Sequence, residues 1–504
     1  MKMLTTIHKG KYYNVEYSIV NVAELEENLR IGAETYHPEK LKILSFLNKK
    51  ANGDTIGQYF YLAKELFDPQ KFPPRKVRLL ELKNMGNFEI FDIPEVLSTE
   101  FGSTKNRARF GDVVISRLRP YLKQVGFIYF PEVYTTTELL ILRQKITKAL
   151  GVIGLNYYLY TFLMTKWVQR ILFWSQEGVN HPRFPKYVLL NCPMPMPSLE
   201  FITIVKQLIE NYLNLKQKAE QLYKQAEEIL LKELGLKNWE PKTKKIKISG
   251  VEFEEEENIS IRMLSEVIKA DRLDAEYWET KYDEFLNRLE GKVILKPLKR
   301  FLSLKLLKGV EVGSDNYQEK GVSFIRVSNI TKFGIIERDQ KYISEELYLE
   351  LKDKFEPEKG EILLTKDATP GIAYVLKEDI RGIIASGIVR LKVKDIEKEY
   401  LSLVINSIVG QMQILKEGGG SIISHWKPSQ IENLLIPLLD TQIQQKISQL
   451  IQQSFEAREN SKKLLEIAKR AVEIYIEKDE EEGIKYAKKE IKSLRLKWEN
   501  ENEA

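Results

Sequence analysis

The chain has 504 residues, of which 43% are hydrophobic and 30% charged, so it is long enough to bury the cores of about three domains and is not disordered as a whole. One Cys and four His argue against a disulfide framework and against most metal sites built from these side chains. The net charge of +6 permits a nucleic-acid partner without requiring one.

The N-terminal segment MKMLTTIHKGKYY turns polar too early for a signal peptide. The uncharged run from Ala149 to Thr165 contains Asn156 and is too short for a membrane span, so it predicts a buried helix. We therefore expect no membrane contact and a location in the cytoplasm, whose reducing conditions suit a single Cys.

The sequence repeats itself half a chain apart. RIGAETYHPEK, from Arg30, is similar to RLDAEYWETKY, from Arg272, and the flanking residues align at the same separation of 242. Later aligned pairs are Gly111 with Gly360 at 249, and His181 with His425 and Pro193 with Pro437, both at 244. Because the order is kept and the separations change little, we interpret the chain as an internal duplication.

Each copy ends in a long helical segment. Apolar or small residues from Val205 to Ile229 and from Ile447 to Ala471 alternate spacings of three and four, which is the pattern of a coiled-coil seam. Two similar units that pair such helices about a perpendicular pseudo-two-fold axis must pair them antiparallel. The residues predicted to pair are Leu208, Leu215, Leu222 and Ile229 in the first copy, and Ile447, Leu450, Leu464 and Ala471 in the second.

The predicted fold class is α/β, with two similar mixed α/β domains in a pseudo-two-fold arrangement, separated by two long antiparallel coiled-coil helices. The predicted boundaries are 1–197 for the first domain, 198–236 for the first long helix, 237–258 for a charged linker, 259–438 for the second domain, 439–478 for the second long helix and 479–504 for a charged tail.

No segment of the sequence predicts catalysis. EGGGSIISHW, from Glu417, is rich in Gly but lacks the Lys of a nucleotide-binding loop, and no methyltransferase cofactor loop occurs. His181 and His425 are interpreted as packing or backbone-contacting residues rather than catalytic bases, and Cys192 as a small hydrophobic residue. The sequence therefore predicts a binding protein with no metal site.

Basic residues beside turns and aromatic side chains are the candidates for DNA contact, because Arg and Lys neutralise phosphates or donate to guanine edges. Each of them is also compatible with an ordinary surface charge. The candidates are Arg117, Arg119, Lys123, Arg183 and Lys186 in the first copy, and Lys366, Trp426 and Lys427 in the second.

Several segments of the second copy resemble the DNA-specificity subunit of type I restriction-modification systems. They are GVSFIRVSNITKFGIIERDQKYIS, GEILLTKDATPGIAYV and GGGSIISHWKPSQIENLLIPLLDTQIQQKI, followed by the long helix. The residues that fit the family's proline run and helix start are Ile431, Leu435, Pro437, Gln442 and Ile443. The first copy has the prolines but no Gln at its helix start, so the resemblance is weaker there, although it extends over essentially the whole chain.

The resemblance implies that each domain is a target-recognition domain that reads one half of an asymmetric bipartite DNA target. It also implies that the helices set the spacer and bind two methyltransferase subunits, which motor-nuclease subunits join in a phage-defence complex. This chain would then be non-catalytic and hold no cofactor, while S-adenosylmethionine, ATP and Mg²⁺ would belong to the partners. Two alternatives stay open: a subunit of another restriction enzyme type that retains some catalysis, and a coiled-coil scaffold that binds only protein.

The repeated phrase itself is interpreted as a mark of the duplicated fold. Arg30 and Arg272, like Glu34 and Glu276, are assigned to structure or to subunit docking. Base reading is assigned to the loops in which the two copies differ.

Overall fold

The computed structural model describes residues 18–21, 25, 31–91, 93–145, 153–239, 246–248, 251–253, 260–337, 339–418 and 425–502. The chain forms two compact units: the first unit contains residues 1–216 and 459–504, and the second unit contains residues 217–458. Both units combine helices with β-sheets, so the predicted mixed α/β fold is confirmed. No described helix is long and apolar enough to cross a membrane.

The described helices, in chain order, are α1 (Pro38–Ala51), α2 (Ile56–Tyr59), α3 (Leu155–Met164), α4 (Lys166–Trp174), α5 (Lys186–Leu190), α6 (Leu199–Glu233), α7 (Leu264–Ala270), α8 (Thr280–Glu290), α9 (Glu345–Phe355), α10 (Lys398–Asn406), α11 (Ile408–Gly418), α12 (Pro428–Glu432), α13 (Thr441–Glu477) and α14 (Glu480–Asn502). The predicted charged tail is therefore helical over most of its length.

The strands before α6 are β1 (Phe60–Ala63), β2 (Leu66–Phe67), β3 (Lys76–Leu80), β4 (Met85–Gly86), β5 (Glu89–Ile90), β6 (Glu95–Leu97), β7 (Lys105–Arg109), β8 (Val113–Ser116), β9 (Val125–Phe127), β10 (Glu132–Thr135) and β11 (Leu139–Gln144). They form a four-stranded sheet in the order β1-β11-β8-β9, a five-stranded sheet in the order β2-β7-β10-β3-β6, and the hairpin β4-β5. Strands β10 and β3 pair in parallel.

The later strands are β12 (Ile246–Ile248), β13 (Val251–Phe253), β14 (Ile294–Pro297), β15 (Leu307–Lys308), β16 (Val322–Ile325), β17 (Ile330–Thr331), β18 (Gly334–Ile335), β19 (Lys341–Ile343), β20 (Ile362–Thr365), β21 (Ala373–Val375), β22 (Gly382–Ile384), β23 (Ile388–Leu391) and β24 (Leu435–Leu438). Their sheets are β15-β23-β20-β21, β19-β16-β22, β14-β24, β17-β18 and β12-β13. The hairpin β12-β13 falls within the predicted linker.

Helix α3 lies at the centre of the first unit's core. Nine of its ten residues are buried, and its apolar side chains cluster with those of α6 and of the four-stranded sheet. A helix that is apolar on every side must be enclosed by protein. The prediction that the run from Ala149 to Thr165 contains a buried helix is therefore confirmed for the described residues from Leu155 to Met164.

The duplication is visible in matched contacts of the two units. The Asp112 carboxylate pairs with Arg143, with a nitrogen–oxygen distance of 2.7 Å, and the Glu361 carboxylate pairs with Arg390 at 2.6 Å. Each carboxylate also accepts a hydrogen bond from the backbone amide three residues earlier, at 2.7 and 2.9 Å. Because all four charged side chains are paired in the same way, this ion pair belongs to the scaffold that both units share.

A second matched contact changes the alignment of the copies near their ends. The Tyr158 hydroxyl donates to the Pro195 carbonyl at 2.5 Å, and the Tyr400 hydroxyl donates to the Pro437 carbonyl at 2.7 Å. Pro437 therefore corresponds to Pro195, at a separation of 242, and the predicted match with Pro193 is wrong by two residues. Repeated prolines in NCPMPMPSLE allow both alignments, and only the contacts distinguish them.

The same correction applies to the histidines. The β-bridge between Leu118 and Arg183 in the first unit has its counterpart in the bridge between Asp367 and His425 in the second. His425 therefore corresponds to Arg183, and the predicted match between His181 and His425 is wrong. The copies place different side chains at this shared position.

Helices α6 and α13 pack together within each unit. In the first unit the Phe201 and Tyr475 rings lie 5.2 Å apart between centroids. In the second unit the Ser454 hydroxyl donates to the Ala219 carbonyl at 2.6 Å. The early part of α6 meets the late part of α13 in one unit and the reverse holds in the other, as antiparallel pairing requires.

Four of the eight residues predicted to pair the helices are buried: Leu208, Ile447, Leu464 and Ala471. The other four, Leu215, Leu222, Ile229 and Leu450, are partly exposed, and the next residue along the chain is buried in each case. A straight helix has 3.6 residues per turn and drifts away from a strict seven-residue repeat. At these four positions the buried side chain is therefore the one that follows the predicted residue.

Candidate nucleic-acid interface

In the first unit, the loop from Arg117 to Lys123 is sharply turned. Arg119 (φ 49°) and Lys123 (φ 52°) have left-handed backbones on either side of a 3-10 turn at Pro120–Leu122. Such a backbone costs free energy in residues other than Gly, so surrounding contacts must hold it. The Arg119 amide donates to the Pro182 carbonyl at 2.7 Å, which ties this loop to the one that contains Arg183.

Arg183 anchors the second loop of this site to Glu138. Its guanidinium donates to the Glu138 carboxylate at 2.8 and 3.0 Å, and the Arg117 amide donates to the Glu138 carbonyl at 3.1 Å. Hydrogen bonds from Arg183 hold the pKa of Glu138 below its usual value, against the smaller effect of burial. The structure thus brings together Arg117, Arg119 and Arg183, which the sequence predicted to contact DNA.

The side chains of these basic residues differ in their exposure to solvent. The Arg117 guanidinium is half-buried and donates to the Phe184 carbonyl at 3.5 Å. The Arg119 Nε is buried without a hydrogen-bond partner among the described residues. Lys123 and Lys186 are exposed to solvent.

The second unit joins the corresponding loops in the same way. The Trp426 amide donates to the Lys366 carbonyl at 2.8 Å, and the Lys366 amide donates to the Gly387 carbonyl at 2.8 Å. His425 Nδ1 lies 3.0 Å from an oxygen of Asp367. Residues 419–424 of the glycine-rich loop lie outside the described residues.

Two of the predicted DNA-contacting side chains are buried in the second unit. Lys366 is 8% exposed and Trp426 is 4% exposed, and the Lys366 ammonium pairs with Asp367 at 2.6 Å. Burial raises the pKa of Asp367, but hydrogen bonds from Lys366 and His425 outweigh it and bring the pKa below its usual value. Lys366 and Trp426 therefore support the loop in this structure. Lys427 is exposed at the start of α12.

One basic surface was not predicted from the sequence. In the five-stranded sheet, Arg107 lies directly opposite Tyr134 and Arg109 opposite Glu132, while Phe67 lies opposite Lys105. Directly opposed residues point to the same side of a sheet, so these six side chains share one face. The alternation of basic residues in KNRAR is the sequence signal that would have predicted this face.

Cations surround an aromatic cluster on this face. The Arg75 guanidinium lies 5.4 Å from the centroid of the Phe67 ring and 5.7 Å from that of Tyr134. Both Arg75 and Arg107 pair with the single carboxylate of Glu132. Burial and the hydrogen bond to Glu132 raise the pKa of Tyr134 to about 12, so its hydroxyl stays protonated and donates to Glu132.

Two observations concern metal binding and thiol reactivity. The described residues contain no group of three His, Cys, Asp or Glu side chains that could hold a metal ion. Burial raises the pKa of the Cys192 thiol to about 12, which leaves it protonated and unreactive at neutral pH.

One protein-family model matches part of the chain. Residues 309–469 match the family model for the type I restriction modification DNA specificity domain. The chain carries a type I restriction-modification DNA specificity domain. The resemblance predicted from the sequence is therefore confirmed for residues 309–469, which match a domain described as a DNA specificity domain.

The chain also resembles solved structures at low identity. One, at 17% identity, belongs to a type I R-M system described for its complex assembly and conformational transition; the match covers 84% of this chain and 96% of that chain, with a TM-score of 0.29. The HsdS subunit from Thermoanaerobacter tengcongensis matches at 16% identity over 83% and 96%, with a TM-score of 0.27. The type I S subunit from M. genitalium matches at 12% identity over 84% and 94%, with a TM-score of 0.38. No curated protein matches the chain.

The specificity domain includes Lys366, Trp426 and Lys427, and the matched contacts of the first unit extend its scaffold to Arg183 and Asp112. None of the eight residues predicted to contact DNA is tested by the match itself. They stay predictions, with Lys123, Lys186 and Lys427 the most accessible of them.

Proposed function

We propose that the chain is the DNA-specificity subunit of a type I restriction-modification complex and that each unit reads one half of a bipartite, asymmetric target. The observation that carries the proposal is the duplicated scaffold with different side chains at matched positions. Arg183 and His425 occupy corresponding positions in the matched β-bridges of the two units, and their bridge partners Leu118 and Asp367 also correspond. Two units with one scaffold and different presented residues bind the same kind of ligand with different sequence preference.

The long helices α6 and α13 hold the spacing between the two half-sites in this proposal. Their antiparallel contacts bury apolar side chains in each unit, so neither helix is a free linker. Stiff helices suit a target whose two halves are separated by a fixed number of unread base pairs. The same helices provide the surface on which two methyltransferase subunits assemble, and motor-nuclease subunits join these.

Catalysis belongs to the partners in this proposal. S-adenosylmethionine, ATP and Mg²⁺ bind the methyltransferase and motor-nuclease subunits, and this chain supplies sequence recognition in the cytoplasm. The methyltransferase subunits modify DNA and the motor-nuclease subunits restrict it, and one target sequence directs both activities. Together they make the complex a phage-defence system.

Selection from a random pool of DNA duplexes tests the proposal. The full chain, assembled with its methyltransferase partner, is expected to enrich two short, different sequence blocks separated by a gap of constant length. Enrichment of one block, of a palindrome, or of no sequence at all would contradict the proposed function. The protein without its partner and the partner alone serve as controls, since neither is expected to enrich both blocks.

A further inference from the structure

We propose that the outer face of the first unit's five-stranded sheet is a DNA-contacting surface, with Lys105 and Arg107 binding the phosphate backbone. The inference rests on the proposed function and names a surface for it. This face, defined by Arg75, Lys105, Arg107 and Arg109 around Phe67 and Tyr134, is termed the basic face.

The basic face carries more positive than negative charge. Arg75 and Arg107 share the one carboxylate of Glu132, and Arg109 pairs with Glu65, which also binds Arg143. The Lys105 ammonium bonds the Ser103 hydroxyl at 3.1 Å and has no carboxylate within ion-pair distance among the described residues. Positive charge therefore remains unneutralised on this face of the sheet.

The geometry of β7 suits a duplex. Lys105, Arg107 and Arg109 are alternate residues of one strand, so their side chains form a row about 14 Å long. DNA carries one phosphate charge per ~1.7 Å of axis, so a row of this length faces several phosphates. About half of each side chain of Arg75, Arg107 and Arg109 is exposed, which leaves the guanidinium groups accessible.

The second unit has a different element at the matched position. Strands β22 and β16 pair in parallel, as β10 and β3 do, but α9 lies beside β22 where β7 lies beside β10. The Gly382 amide donates to Glu356 at 3.2 Å, and Arg381 pairs with Glu345. Helix α9 contains four acids and two lysines, so this side of the second unit offers no comparable row of cations.

This difference fits DNA better than a protein partner shared by both units. A subunit that binds both copies in the same way would need the same surface on each, whereas half-sites of different sequence need different surfaces. Phe72, which stacks on Phe67 at 4.8 Å and is 51% exposed, adds an aromatic edge to the basic face. Cations that alternate with aromatic rings are typical of nucleic-acid surfaces.

The test uses the full chain assembled with its methyltransferase partner and the duplex enriched in the selection experiment. The double variant Lys105→Gln/Arg107→Gln is expected to weaken binding about tenfold or more near 0.15 M salt, and to lower the slope of log affinity against log salt by about two. A hydroxyl-radical footprint is expected to lose protection over one half of the target and to keep it over the other.

Two further variants separate charge from folding. Lys105→Arg/Arg107→Lys keeps the charges and is expected to retain wild-type affinity and slope. Lys42→Gln/Lys49→Gln removes two exposed lysines from α1, outside the basic face, and is expected to leave the footprint unchanged.

A wild-type slope and footprint for Lys105→Gln/Arg107→Gln would overturn the inference and leave the proposed function standing. The inference would also be overturned if Lys42→Gln/Lys49→Gln lost as much DNA affinity as Lys105→Gln/Arg107→Gln. It would likewise be overturned if Lys105→Gln/Arg107→Gln lost binding of the methyltransferase partner and kept its affinity for DNA. Failure of the wild-type complex to select any bipartite duplex would remove the proposed function and this inference with it.

Discussion

At the residue scale, the side chains divide into those that build the scaffold and those that are free to contact DNA. Arg390 and Glu361 are both nearly fully buried and pair with each other, and Arg143 and Asp112 repeat the arrangement. A buried charge is tolerated only when it is paired. Matched buried pairs therefore mark the part of each unit that must not vary, and recognition falls to the exposed residues around it.

The pair between Arg183 and Glu138 predicts a pH-dependent contribution to stability. Because the pKa of Glu138 is lower in the folded state than in the unfolded chain, its contribution is present above the unfolded pKa of about 4.3 and is lost as pH falls through the folded pKa. Glu138→Gln is expected to lower the melting temperature by about 1–2 °C at pH 7 and to match the wild type near pH 3.

Thermal melts of the full chain at the two pH values check this expectation. Glu233→Gln, which removes an exposed carboxylate without an ion pair among the described residues, serves as the control for the change from Glu to Gln. An equal loss of stability at pH 7 and pH 3 for Glu138→Gln would show that packing, and not charge, accounts for the effect.

The sequence predicted where basic residues cluster but not how exposed each one is. Arg117 and Arg119 were predicted to contact DNA in one segment and Arg183 in another, and the structure brings the two segments together. Lys366 and Trp426 lie in the corresponding loops of the second unit, yet both side chains are buried, and the Lys366 ammonium pairs with Asp367. Such burial depends on contacts between distant segments, which local sequence does not encode.

At the element scale, the long helices were the most predictable part of the fold. Their predicted ranges, 198–236 and 439–478, agree closely with α6 (Leu199–Glu233) and α13 (Thr441–Glu477). The seam positions were less accurate, because the buried stripe shifts from Leu215 to Lys216 and from Leu222 to Tyr223. The heptad repeat therefore predicts where a helix begins and ends better than it predicts which of its side chains are buried.

Lengthening both long helices tests their role in spacing. Insertion of one heptad after Lys216 in α6 and another after Arg458 in α13 adds about two turns, or ~10 Å, to each helix without rotating its buried stripe by more than about 20°. If the helices set the gap, the unread spacer of the target is expected to grow by about three base pairs at ~3.4 Å per pair.

Sequencing of the duplexes selected by this variant measures the gap. Both half-site sequences are expected to stay unchanged, because the insertions leave the recognition loops intact. A variant that folds and selects the original gap would contradict a spacing role for the helices. Insertion in α6 alone is the control and is expected to disrupt pairing and abolish selection.

The difference between β7 and α9 could be predicted only in part. The alternating charges of KNRAR are typical of a strand with one solvent-facing side, and EELYLELKDKF has the apolar spacing of a helix. The strand pairing shows that β7 and α9 occupy matched positions. Both elements lie in the interval over which the separation between the copies changes from 245, at Leu80 and Ile325, to 249, at Gly111 and Gly360.

At the scale of the whole molecule, duplication explains both what is shared and what differs. The sequence predicted two mixed α/β domains, and the structure shows two compact units of that kind with matched buried contacts. The alignment between the copies was wrong by two residues at His425 and at Pro437, where the repeated prolines of NCPMPMPSLE allow two registers. Hydrogen bonds from Tyr158 and Tyr400 resolve the ambiguity.

We propose that one chain reads two different half-sites of a DNA target. Co-expression of the chain with its methyltransferase partner, followed by mapping of methylated adenines across the host genome, tests it most directly. The expected result is one asymmetric motif of two different blocks with a constant gap, absent when the chain is omitted. A palindromic motif, a single uninterrupted block, or a methylation pattern that does not depend on the chain would contradict it.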